Sequence, residues 1–403
     1  MNQIRASAGA TPVRGQRFDR LELAGSFGDL GTFLPIVVAM ILINSLSPSA
    51  VLLSFGLFYI LTGLFYGLPV PVQPLKAVAA VSIASPALVT VPVIAAAGIL
   101  FGATMFVLWT ARLVDLAARL FTPAVVRGIQ LSLGLIFLRK GFELIVSDRM
   151  FIDGRPGPFA AQHANIWLGV LVFALVLLLL DNRRFPAALV ALAVGLAAGI
   201  LGGGLGGAPL AFGPTELRLV IPKAADFLTA AVLLVLPQIP LTIGNSCIGT
   251  AATAASLFPG DPRLARAQAG GFAFTMGIAN IPAGLLGAIP MCHGTGGLVA
   301  HYRFGARTGG APIFLGLLLV VMALGFGRFG FALLASIPNA VLGVLLVFAG
   351  LELCPLVRQL KTNEEYFVAL LIAGIALAVP NMAWAFGAGI VVDLLVRKAR
   401  VTV

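Results

Sequence analysis

Seven long apolar runs, at residues 30–43, 51–68, 89–109, 166–180, 187–201, 313–326 and 367–379, recur from one end of the chain to the other. Runs approaching 20 apolar residues are what a bilayer-spanning helix needs, and a water-soluble core has no use for so many of them. Of 403 residues, 60% are hydrophobic and only 10% charged, against about 25% charged in soluble globular proteins. The chain therefore reads as an all-α polytopic membrane protein, with the lipid bilayer as its first partner. A net charge of +11 could suit a nucleic-acid partner, but the basic residues are scattered through short loops and form no run. No nucleic acid is expected. Cys247, Cys292 and Cys354 lie in or beside apolar runs, at spacings that fit neither a metal site nor a disulfide framework. Residues 1–20 are polar and basic, without a short apolar core and cleavage site, and read as a cytoplasmic tail rather than a signal peptide.

Fourteen hydrophobic elements can be laid out, two of them short. They fall at 23–43, 49–68, 70–84 (short), 89–111, 122–145, 166–180, 186–205, 227–257, 267–288, 290–302 (short), 311–326, 331–353, 366–379 and 382–396. Pro237 and Pro240 interrupt the eighth. Residues 112–121 read as an interfacial helix, with Arg112, Asp115 and Arg119 on one face and Leu113, Leu116 and Leu120 on the other. Thr122-Pro123 supplies a cap followed by proline at the first helical position. With both termini cytoplasmic, this layout puts eighteen of the 26 basic residues inside, seven outside and Lys76 within the membrane. That is the bias of the positive-inside rule. The expected location is the plasma membrane, the inner membrane in a bacterium.

The halves of the chain echo each other. Gly28 in GDLGTFLP and Gly244 in PLTIGNS are 216 residues apart; Pro71 and Pro290 are 219 apart; PAVVRG at 123–128 and PNAVLG at 338–343 are 215 apart. Seven spans per half is an odd number, so the second copy enters the membrane inverted. In inverted-repeat transporters, spans broken by glycine or proline at corresponding positions mark the binding site. The two short elements fit that description. PVPVQPLKAVAA (69–80) and AIPMCHGTGGLVA (288–300) each carry proline where a helix should start. Each is expected to enter as extended chain and turn helical near mid-membrane, which is tolerated only where the backbone is buried in protein or lines a cavity. Their free N–H groups and positive dipole ends then converge on one spot suited to an anion.

Several polar residues cluster there in sequence. Gln73 precedes the third helix and can donate an amide to a bound oxyanion. Lys76 lies about one turn in; it either serves the site, snorkels, or pairs with Asp29 for structure alone. Asp29 is a candidate for proton coupling, a partner for Lys76, or an acid placed by the helix dipole. His293, Gly294, Thr295 and Gly296 open the tenth element, where glycines let a ligand approach the backbone. His293 can donate, titrate or be a satisfied structural residue. Gln238 and Thr242 share a face of the eighth element, followed by Asn245 and Ser246, which either bind substrate or tie helices together. Asn280, Glu143, Glu352 and Asp393 read as structural or interfacial. No nucleophile–base pair, phosphate-binding loop or metal-ligand set is visible, and GGGLGG at 202–207 lacks the Lys and Ser/Thr of a P-loop. Neither an enzyme nor a cofactor is expected.

Four blocks, GSFGDLGTFLPI, PVPVQPLKAVAA, PQIPLTIGNSCIGTAATAASLFPG and IPMCHGTGGLVAHYRFGARTGG, together resemble the molybdate transporter family, a branch of the SulP sulfate-permease superfamily. The resemblance implies a seven-plus-seven inverted repeat with a core domain (21–111 and 225–328) moving against a gate domain (112–224 and 329–396). The tail at 1–20 and the C-terminus at 397–403 would be cytoplasmic. It implies uptake of molybdate by a secondary active transporter through alternating access, coupled to protons or another ion. It carries Gln73, Lys76, Gln238, Asn245 and His293 with its following glycines over as site positions. The chain ends at Val403, just after the last span, so no STAS domain is expected. Sulfate is the nearest alternative substrate, with the same shape and charge and a somewhat smaller size. A passive anion channel would need a continuous polar path, and most spans here carry no polar stripe. A nucleobase permease would want carboxylates where Gln238 and His293 stand. Expected partners are the oxyanion, the bilayer and, as an open alternative, a second copy of the chain.

Overall fold

The computed structural model describes residues 15–154, 161–180, 187–205, 211–379 and 382–399. Most of the expected tail, the basic pair Arg183-Arg184, the end of the glycine run at 206–207 and the extreme C-terminus lie outside the described residues. The first half runs α1 (Arg20–Ser26), α2 (Leu30–Ile43), α3 (Pro48–Tyr66), β1 (Gln73–Pro74), α4 (Lys76–Ala84), α5 (Val91–Thr110), α6 (Val114–Leu120), α7 (Pro123–Ile145), α8 (Ala161–Leu179) and α9 (Ala187–Leu201). The second half repeats the order as α10 (Ala224–Ala230), α11 (Leu236–Leu241), α12 (Thr250–Leu257), α13 (Ala269–Leu285), β2 (Met291–Cys292), α14 (Thr295–Arg303), α15 (Gly310–Gly325), α16 (Gly327–Ala335), α17 (Asn339–Leu353), α18 (Asn363–Ala378) and α19 (Met382–Ala399).

Local chemistry accounts for many of the ends. Ser47 caps α3 by accepting from Ala50 N–H, Pro48 occupies its first turn, and Gly67 closes it in the left-handed region at φ 65°. Thr122 caps α7 the same way, with Pro123 next. Among the described residues, four continuous helices are long and apolar enough to cross a bilayer, or up to six if each sharply bent pair counts as one span. The remaining elements are shorter, broken, or, like the 23-residue α7 with Arg127, Arg139, Lys140 and Glu143, interrupted by charged residues.

Two expectations are corrected. Pro237 and Pro240 do not interrupt the eighth element: α10, α11 and α12 form one helix, Ala224–Leu257, through π-helical segments at Ala231–Val235 and Thr242–Gly249. The wider π turns make room for the proline rings and for carbonyls that have lost their N–H partners. The expected twelfth span at 331–353 is two helices. Pro338 ends the first before it can continue, and α16 lies at 90° to α15 as a corner, in the place α6 holds in the first half. The first span is bent too, by 44° between α1 and α2, around Phe27–Gly28–Asp29.

The halves interlock pairwise. α3 packs on α15, α5 on α13 and α7 on α17, so that α3 and α5 each meet the other's counterpart and α7 meets its own. Glycine sets these crossings. Gly56 faces Gly316 and Gly63 faces Gly309; Gly134 faces Gly350 and Gly141 faces Gly343. A Cβ on Gly316 would stand 2.6 Å from Gly56 O. In lipid, where burial of apolar surface drives little association, such small residues permit the close backbone contact that holds helices together.

At the centre, β1 and β2 pair antiparallel, Gln73 opposite Cys292 and Pro74 opposite Met291. Leu75 N–H donates to Pro290 O at 2.9 Å. Met291 therefore turns its own N–H and C=O away from β1. Asn280 on α13 satisfies both: its Oδ1 accepts from Met291 N–H at 2.6 Å and its Nδ2 donates to Met291 O at 2.8 Å. Each strand then passes into a nine-residue helix, α4 or α14. At 1.5 Å per residue these are about 13 Å long, less than half the hydrocarbon thickness. The two half-helices begin side by side in mid-protein, as the sequence requires.

Candidate functional site

A cavity of about 310 Å³ opens at the first turns of α4 and α14. Its walls are Gln73, Lys76, Gln238, Asn245, Ser246, Cys292, Thr295 and Gly296 from the strand–helix units and the long α10–α12 helix, with Thr32 from α2. The other wall comes from Arg127 and Gln130 near the start of α7, Glu352 and Leu353 at the end of α17, and Leu356 and Gln359 in the turn that follows. Neither half-helix has a side-chain cap on its first turn: Leu75 and Gly294 hold the cap positions. The orphan N–H groups there are available to a ligand, save one, since Ala77 N–H donates to Gln238 Oε1 at 2.8 Å.

Seven of the ten expected binding residues line this cavity, and three stand behind it. Lys76 is the first residue of α4, and no ion pair or hydrogen bond engages its ammonium among the described residues. A lysine at a helix N-terminus opposes the helix dipole. Its placement adds to a positive spot rather than stabilising the helix. Gln238 is spent on structure, accepting from Ala77 and donating to Thr242 Oγ1 at 3.0 Å, so Thr242 sits behind it. The Asn245 carbonyl, in the second π segment, accepts from the Thr295 hydroxyl at 3.2 Å, fastening the long helix to the start of α14. Gly296 has nothing near its missing Cβ but the cavity.

His293 faces away from the cavity. Its Nδ1 donates to Pro71 O at 2.9 Å and its Nε2 meets the Thr275 hydroxyl at 2.8 Å, with Phe58, Tyr66 and Phe272 around the ring. Of the readings the sequence left open, this geometry is that of the satisfied structural residue, holding the two strands in place. Gly294 is also packed: a Cβ there would run into the Gln73 amide.

Asp29 does not pair with Lys76. Its two carboxylate oxygens accept from Gln73 Nε2 at 2.9 and 2.7 Å, and it lies 3% exposed beneath the cavity floor. Gly297, two residues into α14, leaves the room this carboxylate occupies: a Cβ there would come within 2.7 Å of Asp29 Cγ. The Gln73 amide N–H₂ is thus committed to Asp29 rather than pointed at a ligand.

Sequence reasoning missed the wall contributed by α7 and α17. Arg127 donates from Nη1 to Gln130 Oε1 at 2.6 Å and from Nη2 to Gln359 Oε1 at 2.5 Å, and has no carboxylate partner among the described residues. Thr32 Oγ1 donates to Glu352 Oε2 at 3.2 Å across the cavity. The signal in the sequence for Glu352 and Arg127 is a charged residue inside an apolar run, the same signal that marks Lys76. Lys76 and Arg127, without an ion pair among the described residues, two helix N-termini and neutral amides suit a tetrahedral oxyanion, which accepts hydrogen bonds and donates none, while Glu352 is the carboxylate lining the same cavity.

A family model described as "Molybdate transporter of MFS superfamily" matches residues 21–137 and 230–353. Molybdate transporter 2 of Arabidopsis thaliana is 32% identical over 93% of this chain and 87% of its own length. Molybdate transporter 1 of the same plant is 33% identical with the same coverage. Molybdate transporter 1 of Chlamydomonas reinhardtii is 29% identical over 92% of this chain and 90% of its own. Among solved structures, the transmembrane domain of the cyanobacterial bicarbonate transporter BicA superposes with a TM-score of 0.64 at 17% identity, covering 95% of this chain and 99% of that one. Murine SLC26A9, an anion transporter solved in the inward-facing state, gives 0.68 at 14% identity, covering 96% and 70%. These two likenesses establish a shared fold.

Proposed function

The chain belongs to the molybdate transporter family, and from that premise we propose that it imports molybdate by alternating access, with its fold relating the family to SulP-type anion carriers. Residues 21–111 and 225–328 form the moving core and residues 112–224 and 329–396 the gate. The observation that carries the reading is the cavity, walled by two uncapped helix N-termini with Lys76 on the core side and Arg127 on the gate side. A dianion seated there touches both halves. With the termini cytoplasmic, the ends of α7 and α17 that line the cavity face the cytoplasm, and this arrangement is the inward-open one. Lys76, Thr295, Gly296, Asn245 and Ser246 contact the oxyanion; Gln73, Gln238, Thr242, Gly294 and His293 hold those contacts in place.

Sulfate fits the same chemistry, and the test must separate the two. Titration calorimetry of the purified protein with molybdate, sulfate and uracil is expected to show tight molybdate binding, weaker sulfate binding and none of the nucleobase. Lys76→Ala and Arg127→Ala should each weaken molybdate at least about tenfold, or 1.4 kcal/mol. Unchanged affinity in both variants, or no oxyanion binding by the wild type, overturns the reading.

A further inference from the structure

We propose that Glu352 is the proton carrier of the transport cycle, protonated when the dianion enters the cavity and ionised when it leaves. The proposal rests on the oxyanion reading above. Glu352 is the carboxylate among the residues lining the cavity, one residue from the end of α17, and exposed to it. It also spans the seam between the two proposed domains, since its hydrogen-bond donor, Thr32, belongs to α2. Asp29, the sequence candidate for this role, is buried and already accepts two hydrogen bonds from Gln73.

The charges facing Glu352 can be counted element by element. α4 presents Lys76 and α7 presents Arg127, neither in an ion pair with it among the described residues; α2 places Asp29 beneath the floor. The turn after α17 carries Arg358, which is exposed. α8 and α9, also packed on α17, carry no charged side chain among their described residues apart from exposed His163. Two cations and two carboxylates cancel, and two helix ends add roughly one positive charge between them. A dianion then leaves the loaded site near −1, and one proton on Glu352 brings it to neutrality. A site closed off from water with net charge is strongly disfavoured in a low-dielectric interior. Hydrogen bonding points the same way. An ionised carboxylate and an oxyanion are both acceptors, whereas a protonated Glu352 becomes a donor to the oxyanion. In the forward step one proton leaves water on the open side and forms an O–H bond on Glu352. The bond breaks, and the proton returns to water, on the side where the dianion dissociates.

The test is proton uptake on binding, read with a pH-indicator dye in weakly buffered solution while sodium molybdate is added to the purified full-length protein. About one proton per molybdate is expected from wild type at mildly alkaline pH. Glu352→Gln is expected to take up none and to lose the pH dependence of its molybdate affinity. Thr32→Val removes the hydroxyl donated to the carboxylate, keeps Glu352 itself, and should displace the pH profile while retaining uptake. If Glu352→Gln does not fold, an undisplaced profile in Thr32→Val overturns the proposal by itself. Uptake that survives Glu352→Gln and vanishes in Asp29→Asn overturns it in favour of Asp29. A wild type that binds no oxyanion defeats the transport reading, and the proposal falls with it.

Discussion

Asn280 is the residue on which the central strand pair depends, and its removal gives a prediction with a calculable size. Met291 is 1% exposed and Asn280 fully buried. The two hydrogen bonds between them satisfy the backbone N–H and C=O that β2 turns away from β1. Alanine leaves both groups unpartnered. Each buried group stranded in this way costs about 1–3 kcal/mol, so the pair predicts a loss of about 2–6 kcal/mol. Water admitted into the vacated space brings the loss toward the lower figure. Asn280→Leu keeps the volume and isolates the hydrogen-bond part. The assay is the heat-unfolding midpoint of detergent-purified protein followed by intrinsic fluorescence, with a molybdate titration beside it. Both variants should melt well below wild type. Both should also bind molybdate more weakly, because β2 sets the direction in which α14 presents its N-terminus. If Asn280→Leu melts with wild type and binds as tightly, the strand pair does not need this brace, and the account of how the half-helices are held is wrong.

Three further outcomes follow from other contacts. Gly316→Val should destabilise the protein by about 1–3 kcal/mol, because even its Cβ meets the Gly56 carbonyl; a melting midpoint equal to wild type would show that α3 and α15 can separate freely. Cys292 lines the cavity while Cys247 is fully buried, and Cys354 is half-buried outside it, so in a Cys354→Ser background a small methanethiosulfonate reagent should label Cys292 before Cys247 and molybdate should slow it; labelling indifferent to molybdate would place the ligand elsewhere. In the loop after α12, Arg263 and its own backbone N–H hold the Asp261 carboxyl below the usual range. A depressed folded pKa contributes stability above the unfolded value of about 3.9 and loses it as pH falls through the folded one. Asp261→Asn should therefore cost at most about 1 kcal/mol at neutral pH and nothing in strong acid, as read from unfolding midpoints at the two pH values; a loss that grows on acidification would contradict the pairing.

What could be read along the chain is what depends on near neighbours. Proline at 69, 71 and 74 forbids a helix before Lys76, and Pro290 does the same before Thr295; both elements are extended first and helical afterwards. The Thr122-Pro123 start of α7 obeys the same kind of rule. The same rule fails at Pro237 and Pro240 of the eighth element, because a helix can widen into π turns and continue, and neighbouring helices decide whether it does.

The sequence by itself determined that this chain lives in a bilayer, that it is built twice, and that two helices begin half-way through it. Apolar run length, repeat spacing and proline stereochemistry are local properties and survive without a fold. The tertiary structure alone decided which polar groups meet. It gave Gln73 to Asp29, turned His293 into an aromatic cage, and brought Arg127 and Glu352 to face Lys76 across the cavity. Those partners lie tens to hundreds of residues apart. Each could have satisfied its charge or hydrogen bonds in several ways, and only the glycine-set crossing of the two halves chooses among them.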